Sequence, residues 1–229
     1  MRTKIITLKN NRLSEQVAKD CIEQAKKFGI TAEVFAINGF DAAEHLECLN
    51  IKPLGKFKKS RVGIVGCLLS HYYLWLDCIK HNVPYLVLEH DGYFIKPLPD
   101  NILDLFDDVI KLDSGNPYSD CYESWLTAHS NDAASIWTIR DDEHGGGNRE
   151  TAAGWSTLGA YAYIIKPHAA VKLIDWVKAN GFLPTDWLIG TKIVSVSHHC
   201  PTIARLHPLY AKDGNIKKMS TTMNLEKML

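Results

Sequence analysis

Two carboxylates, Glu89 and Asp91, stand directly after the apolar run Val83-Pro-Tyr-Leu-Val-Leu88. Such a run reads as a strand buried on both faces. In an open α/β sheet, ligands collect outside the carboxyl ends of the strands. If the extended backbone continues, Glu89 and Asp91 point one way and His90 the other. The two acids can then share one hard divalent cation, or one can hold the metal and the other a ribose. Mg2+ and Mn2+ prefer oxygen ligands and are commonly held by one or two carboxylates plus substrate phosphates. The plainer alternative is an acidic turn that closes a strand. A third carboxylate, Asp186, follows Pro184-Thr185 and precedes Trp187. It lies beyond a helix and its Gly181 stop, on the kind of loop that carries catalytic groups on a rigid scaffold. It is a candidate general base or acceptor contact, and equally a candidate N-cap for a following helix.

The elements that must position these acids follow from periodicity. Val65, Leu68, Leu69, Tyr72, Leu76 and Ile79 recur at helical spacing and form an apolar stripe just before the acidic strand. Ser70 and His71 lie off that stripe, so packing does not demand them. Residues 4–8 read as a first strand. Ser14 is a plausible N-cap for a helix over 15–28 that stops at Gly29. Ala32 to Ile37 reads as a second strand, and 40–60 as a polar, irregular connection. Asp108 to Leu112 and Ala160 to Ile165 are further strands. Pro167 suits the first turn of a helix that runs to about Ala179. Ile193–Val196 and Ile203–Leu206 close the series. Alternating strands and helices predict an α/β fold with a mostly parallel central sheet flanked by helices, in a single domain over 1–229. Residues 113–153 are expected to be loop-rich and a possible acceptor region.

Several of these residues resemble glycosyltransferase family 25, which includes lipooligosaccharide and collagen galactosyltransferases. Gly66-Cys67-Leu68-Leu69-Ser70-His71 is similar to the family's G-C-x-x-S-H helix, and Glu89-His90-Asp91 to its E-D-D triplet. The opening strand followed by Asn11-Arg12, the segment Gly159 to Ile165 with Ala169, Ala170 and Leu173, and Thr185-Asp186 also resemble the family pattern. The resemblance implies a GT-A-like arrangement, a nucleotide-sugar donor and inversion at the anomeric carbon. It brings Arg12, Ser70 and His71 beside Glu89 and Asp91 as candidate donor-binding residues. On that footing, Glu89 and Asp91 hold Mn2+ or Mg2+, which neutralises the departing diphosphate, and Asp186 is the candidate base for the acceptor hydroxyl. The expected reaction moves a sugar, galactose or glucose, from a UDP-sugar to a hydroxyl on a glycan or protein. His90 departs from the family triplet, which weakens the metal site or shifts its preference. The alternative is a non-catalytic nucleotide-sugar or glycan-binding protein on the same fold.

Composition narrows the field further. Lys and Arg total 26, as do Asp and Glu, for a formal net charge of zero. That balance argues against charge-driven nucleic-acid binding. Lys56, Lys58, Lys59 and Arg61 form the one dense basic run, which reads as a solvated loop before it reads as a diphosphate contact. The six cysteines contain no C-x-x-C pair and read as reduced thiols. His198, His199 and Cys200 lack the paired spacing of a structural zinc site. Gly145-Gly146-Gly147 lacks the strand-then-helix context of a phosphate cradle. Trp125, Trp137 and Trp155 are candidate sugar-stacking surfaces, although most tryptophans are simply packed. With no signal-peptide core and no apolar run long enough to span a bilayer, a soluble cytoplasmic protein is expected.

Overall fold

The computed structural model describes residues 1–37, 42–52, 54, 62–113, 135–138, 148–157 and 159–211. The chain begins with β1 (Arg2–Leu8), α1 (Arg12–Lys26), β2 (Glu33–Ile37), α2 (Ala42–Cys48), α3 (Val62–His81), β3 (Tyr85–Glu89) and β4 (Gly92–Phe94). A 3-10 turn at Ile102–Asp104 precedes β5 (Val109–Lys111) and β6 (Ser135–Thr138). The chain continues through β7 (Asn148–Thr151), β8 (Gly154–Thr157), β9 (Ala162–Ile165), α4 (Pro167–Asn180) and α5 (Thr185–Leu188). It reaches β10 (Val196–Cys200), β11 (Ala204–Leu206) and α6 (Pro208–Ala211).

The central sheet has seven strands in the order β2-β1-β3-β9-β5-β10-β6. β2, β1, β3, β5 and β10 run one way, while β9 and β6 run against them. The sheet is therefore mostly parallel, as expected. Strand β9 lies between β3 and β5, so its first residues meet the carboxyl ends of both neighbours: Ala162 pairs with Leu88 and Tyr163 with Lys111.

Each face of the sheet carries its own core, as alternation along the strands requires. Tyr85, Val87, Val109, Tyr163, Ile165 and Val196 pack under α3 and α4. Leu86, Leu88, Ile110, Leu112, Ala162 and Ile164 pack under α1 and the β4–β11 pair. Helix α3 is wrapped by the sheet, α2 and α4, and it buries Leu74, Trp75 and Cys78 as well as Val65, Leu68, Leu69 and Tyr72 of the expected stripe, with Leu76 and Ile79 partly buried. A helix that is apolar nearly all round is a buried one. No helix of the described residues is long and apolar enough to cross a membrane.

Several local expectations shift. Asn11, not Ser14, caps α1: its side chain accepts the Ser14 N–H at 3.0 Å, while the Ser14 hydroxyl accepts the Leu8 N–H from within the first turn. The connection over 40–60 contains α2. The late strand lies over Val196–Cys200 rather than Ile193–Val196, which makes His198, His199 and Cys200 buried strand residues. Asp108, expected to begin a strand, stands just before β5 and is 4% exposed. It accepts bonds from Lys172 and from the Ser195 N–H. Five cysteines, Cys21, Cys48, Cys67, Cys78 and Cys200, are free thiols. Cys121, the Lys56–Arg61 run, Gly145–Gly147 and Trp125 lie outside the described residues, as does the Trp137 side chain.

Candidate active site

The expectation that Ser70 and His71 stand apart from the core is overturned, since they are 3% and 0% exposed. A second stripe on α3, Cys67, His71, Trp75 and Cys78, faces the sheet. It carries polar atoms at helical spacing, a signal that a search for purely apolar periodicity passes over. Trp75 Nε1 donates to the Tyr163 hydroxyl at 3.0 Å, and that hydroxyl meets His71 Nδ1 at 2.8 Å. His71 Nε2 lies 3.2 Å from Glu89 Oε1. Trp75 can only donate. This leaves the Tyr163 proton for His71 Nδ1, and the imidazole then presents Nε2–H to Glu89. In the imidazolium form too, Nε2 carries a proton. Cys67 Sγ adds a longer bond to the same carboxylate oxygen at 3.7 Å. Ser70 turns back on its helix and donates to the Gly66 carbonyl at 2.8 Å.

The electrostatics of Glu89 follow from this chain. Burial pushes its carboxyl up, but the His71 bond, the pull of His71 and His90, and the Cys67 bond outweigh burial and hold it below the ordinary range. Burial, then Glu89 and Asp186, push the Cys67 thiol well above its usual value, so it stays protonated. Cys67, His71 and Glu89 form a group whose ligand atoms lie within 4.8 Å of one another. The protons on Nε2 and Sγ make it a cradle for the carboxylate. Glu89 is the one hard oxygen donor in it of the kind that Mn2+ and Mg2+ prefer.

Asp91 is arranged differently. Strand β3 ends at Glu89, and His90 and Asp91 form a turn before β4. The extended alternation that would aim both acids one way therefore stops at the strand end. Asp91 Oδ1 is buried with no hydrogen-bond partner among the described residues. Burial, together with the charge of Glu89, raises its carboxyl to about 6 against the pull of His90. A buried, unpartnered carboxylate oxygen beside a second carboxylate fits a cation ligand, because a cation would satisfy both.

The neighbouring strand ends complete the cluster. Asp186 is the second residue of α5, whose N-cap is Pro184, so the N-cap alternative for Asp186 does not hold. The Gly159 N–H donates to Asp186 Oδ2 at 3.3 Å. Burial raises Asp186, and Lys111 and the Gly159 N–H draw it back only in part. The hairpin β7–β8 is fastened behind α5. Thr151 Oγ1 donates to the Trp187 carbonyl at 3.2 Å, and the Trp155 N–H donates to Thr191 Oγ1 at 3.0 Å. A Cβ on Gly190 would stand 2.4 Å from the Ala153 carbonyl, so only glycine permits this approach. Arg12 is exposed at the start of α1, on the loop side of β1, and β1 pairs with β3 through Ile6 and Glu89. Lys111, Asp113, Tyr163 and Cys67 were not singled out from sequence. Each is an ordinary strand or helix residue until the sheet order brings it to this edge.

The arrangement is a set of half-buried acids, Glu89 and Asp91 at the carboxyl end of β3 and Asp186 on α5, with one acid held by donors and two with raised affinity for protons. Such a set can bind a cation and accept a proton from a hydroxyl. No curated protein matches the chain. Among solved structures, the crystal structure of mouse xyloside xylosyltransferase 1 in its apo form is similar at 8% identity, over 82% of this chain and 79% of that one, with a TM-score of 0.41. Residues 3–189 match glycosyltransferase family 25 (LPS biosynthesis protein), and the chain belongs to that family.

Proposed function

We propose that this protein transfers a sugar, galactose or glucose, from a UDP-sugar to a hydroxyl of a glycan or protein acceptor, with inversion at the anomeric carbon. The observation that carries this reading is the placement of Glu89 and, two residues on, Asp91 at the carboxyl end of β3, with Asp186 within electrostatic reach of Glu89. Glu89 and Asp91 would hold Mn2+ or Mg2+, which when bound neutralises charge on the departing diphosphate. Asp91 brings the buried oxygen that lacks a partner, and Glu89 brings a carboxylate kept ionised by His71.

Asp186 takes the proton of the acceptor hydroxyl as that oxygen attacks the anomeric carbon. Its raised affinity for a proton suits a base working near neutrality. Arg12 meets the diphosphate from the exposed N-terminus of α1. His71 and Ser70 act behind the donor site. His71 orients and ionises Glu89, and Ser70 secures the helix turn that carries Cys67 and His71.

A thermal-shift series with UDP, UDP-galactose and UDP-glucose, in Mn2+ and in chelator, tests the donor and metal together. A ligand that binds only the folded state raises its stability with the logarithm of concentration over Kd. UDP is expected to stabilise the protein in Mn2+ and much less in chelator. Equal stabilisation in chelator would sink the metal assignment. Release of UDP from the donor that binds separates an enzyme from a sugar-binding protein, the alternative that His90 in the acidic triplet favours. Asp186→Asn is expected to lower turnover by about 10²–10⁴-fold with donor affinity unchanged. Near-normal turnover removes Asp186 as the base.

A further inference from the structure

Lys111 is a buried ammonium that this mechanism leaves without a task. It ends β5 on the same face as Glu89 and Tyr163 and is 1% exposed. An ammonium is kept in such a place only if it is paired. Its Nζ donates to the carbonyl of Gly159 and lies 3.9 Å from Asp113 Oδ1. Gly159 has φ +88°, a conformation that residues with a Cβ rarely adopt. Its N–H is the donor to Asp186 at 3.3 Å. One glycine is thus gripped at both polar atoms, by Lys111 at its carbonyl and by Asp186 at its amide.

We propose that Lys111 is a positioning residue for Asp186, clamping Gly159 so that its amide meets the Asp186 carboxylate while the ammonium balances the buried acids around it. Lys111 acts through Gly159 and through its charge, not on substrate. The groups that face it are Asp113 two residues past the end of its strand, Asp186 on α5, Glu89 on β3 and the His198 imidazole on β10. Asp186 in turn faces Lys111, Glu89, Cys67 and the Gly159 amide. Without the ammonium, Asp186 keeps only the Gly159 amide and its own amide against the repulsion of Glu89, and its protonated form gains.

The test needs no identified substrate. In 15N-labelled protein kept in chelator, the Gly159 amide resonance follows the ionisation of Asp186. Asp186→Asn, which lacks that carboxyl, should abolish the response. In Lys111→Met, which keeps the aliphatic stem without the charge, the midpoint should rise by about one pH unit or more. Lys111→Gln restores a donor to Gly159 without the charge and should show a smaller rise than Lys111→Met, and equal rises would remove the clamp from the proposal. A purely structural lysine would lower thermal stability and leave the midpoint in place, and that result overturns the proposal. If neither variant folds, the wild-type Lys111 15Nζ resonance decides. It should step at the same pH as the Gly159 amide, and the absence of a shared step overturns the link. The further expectation, that Lys111→Met slows UDP release from UDP-galactose, rests on Asp186 being the base. Normal turnover in Asp186→Asn would end that reading and leave the resonance link standing on its own result.

Discussion

Glu89 and Asp91 leave β3 two residues apart and sit in opposite circumstances. Glu89 faces α3, where His71 and Cys67 direct protons at one of its oxygens and hold it ionised. Asp91 lies in the turn toward β4, with an oxygen that no described group bonds and a carboxyl raised to about 6. One acid is prepared by the protein and the other is left incomplete. The difference shows how a binding edge can be both rigid and demanding. In the proposed function the held acid would fix where a cation goes, and the incomplete one would gain a partner by accepting it.

Removing the incomplete acid should give the largest change. Asp91→Asn is expected to erase the Mn2+ dependence of UDP affinity, measured by calorimetry with and without chelator. It should also stabilise the metal-free protein. The folded pKa of Asp91 lies above the unfolded value near 4, so its charge costs stability above about pH 6, and that cost fades as the pH falls toward 4. Urea unfolding in chelator should show the variant more stable by about 1–3 kcal/mol at pH 7, with the gap closing by pH 4. A variant less stable than the wild type at pH 7 would break the contrast at its root.

Loosening the held acid comes next. Tyr163→Phe strips the hydroxyl that joins Trp75 to His71 and leaves buried polar atoms unpaired. A loss of about 1–3 kcal/mol is expected in urea unfolding. Mn2+ affinity should fall by about tenfold, as when a group supporting a metal ligand is removed. Unchanged Mn2+ affinity would mean that Glu89 does not depend on the chain behind it.

Asp108 offers the opposite sign of pH dependence. Burial raises it, but Lys172, the Ser195 N–H and His168 outweigh burial and hold it below the usual carboxylate range. Its contribution is therefore present above pH 4 and is lost as the pH falls through the lowered value. Asp108→Asn should cost about 1–2 kcal/mol at pH 7, and the difference from the wild type should shrink in acid. Parallel pH profiles for the two proteins would contradict this pairing. The smallest effect belongs to Cys67→Ser, which exchanges the weak thiol donor to Glu89 for a smaller hydroxyl donor. A change in stability below about 1 kcal/mol is expected, and a larger loss would give the thiol a weight its long bond does not suggest.

The order of elements and the acidic strand end were legible because they rest on local periodicity: Val83 to Leu88, the stripe on α3, and Pro167 with Gly181. What escaped depends on long-range pairing. Lys111 looks like an ordinary strand residue until β9 is laid against β5 and brings Gly159 to its ammonium. The inward turn of His71 escaped because α3 is covered on several sides, which a single apolar stripe does not reveal. The direction of Asp91 escaped because alternation was carried past the end of β3 into a turn.

The reversed strand β9 also shapes how the chain must fold. It pairs Tyr85 with Ile165 and Val109 with Ile165, so the middle of the sheet closes only when segments far apart in sequence meet. Pairings of such high contact order slow folding, because chain entropy is lost before the contacts return it. The equilibrium cost of the intervening chain grows only with the logarithm of its length, by about 0.6 kcal/mol for each doubling. Lengthening the stretch between Asp113 and Ser135 should therefore delay closure of the sheet while leaving its final stability nearly untouched. That stretch falls within residues 113–153, the expected acceptor region, and a change in its length is expected to cost the sheet little.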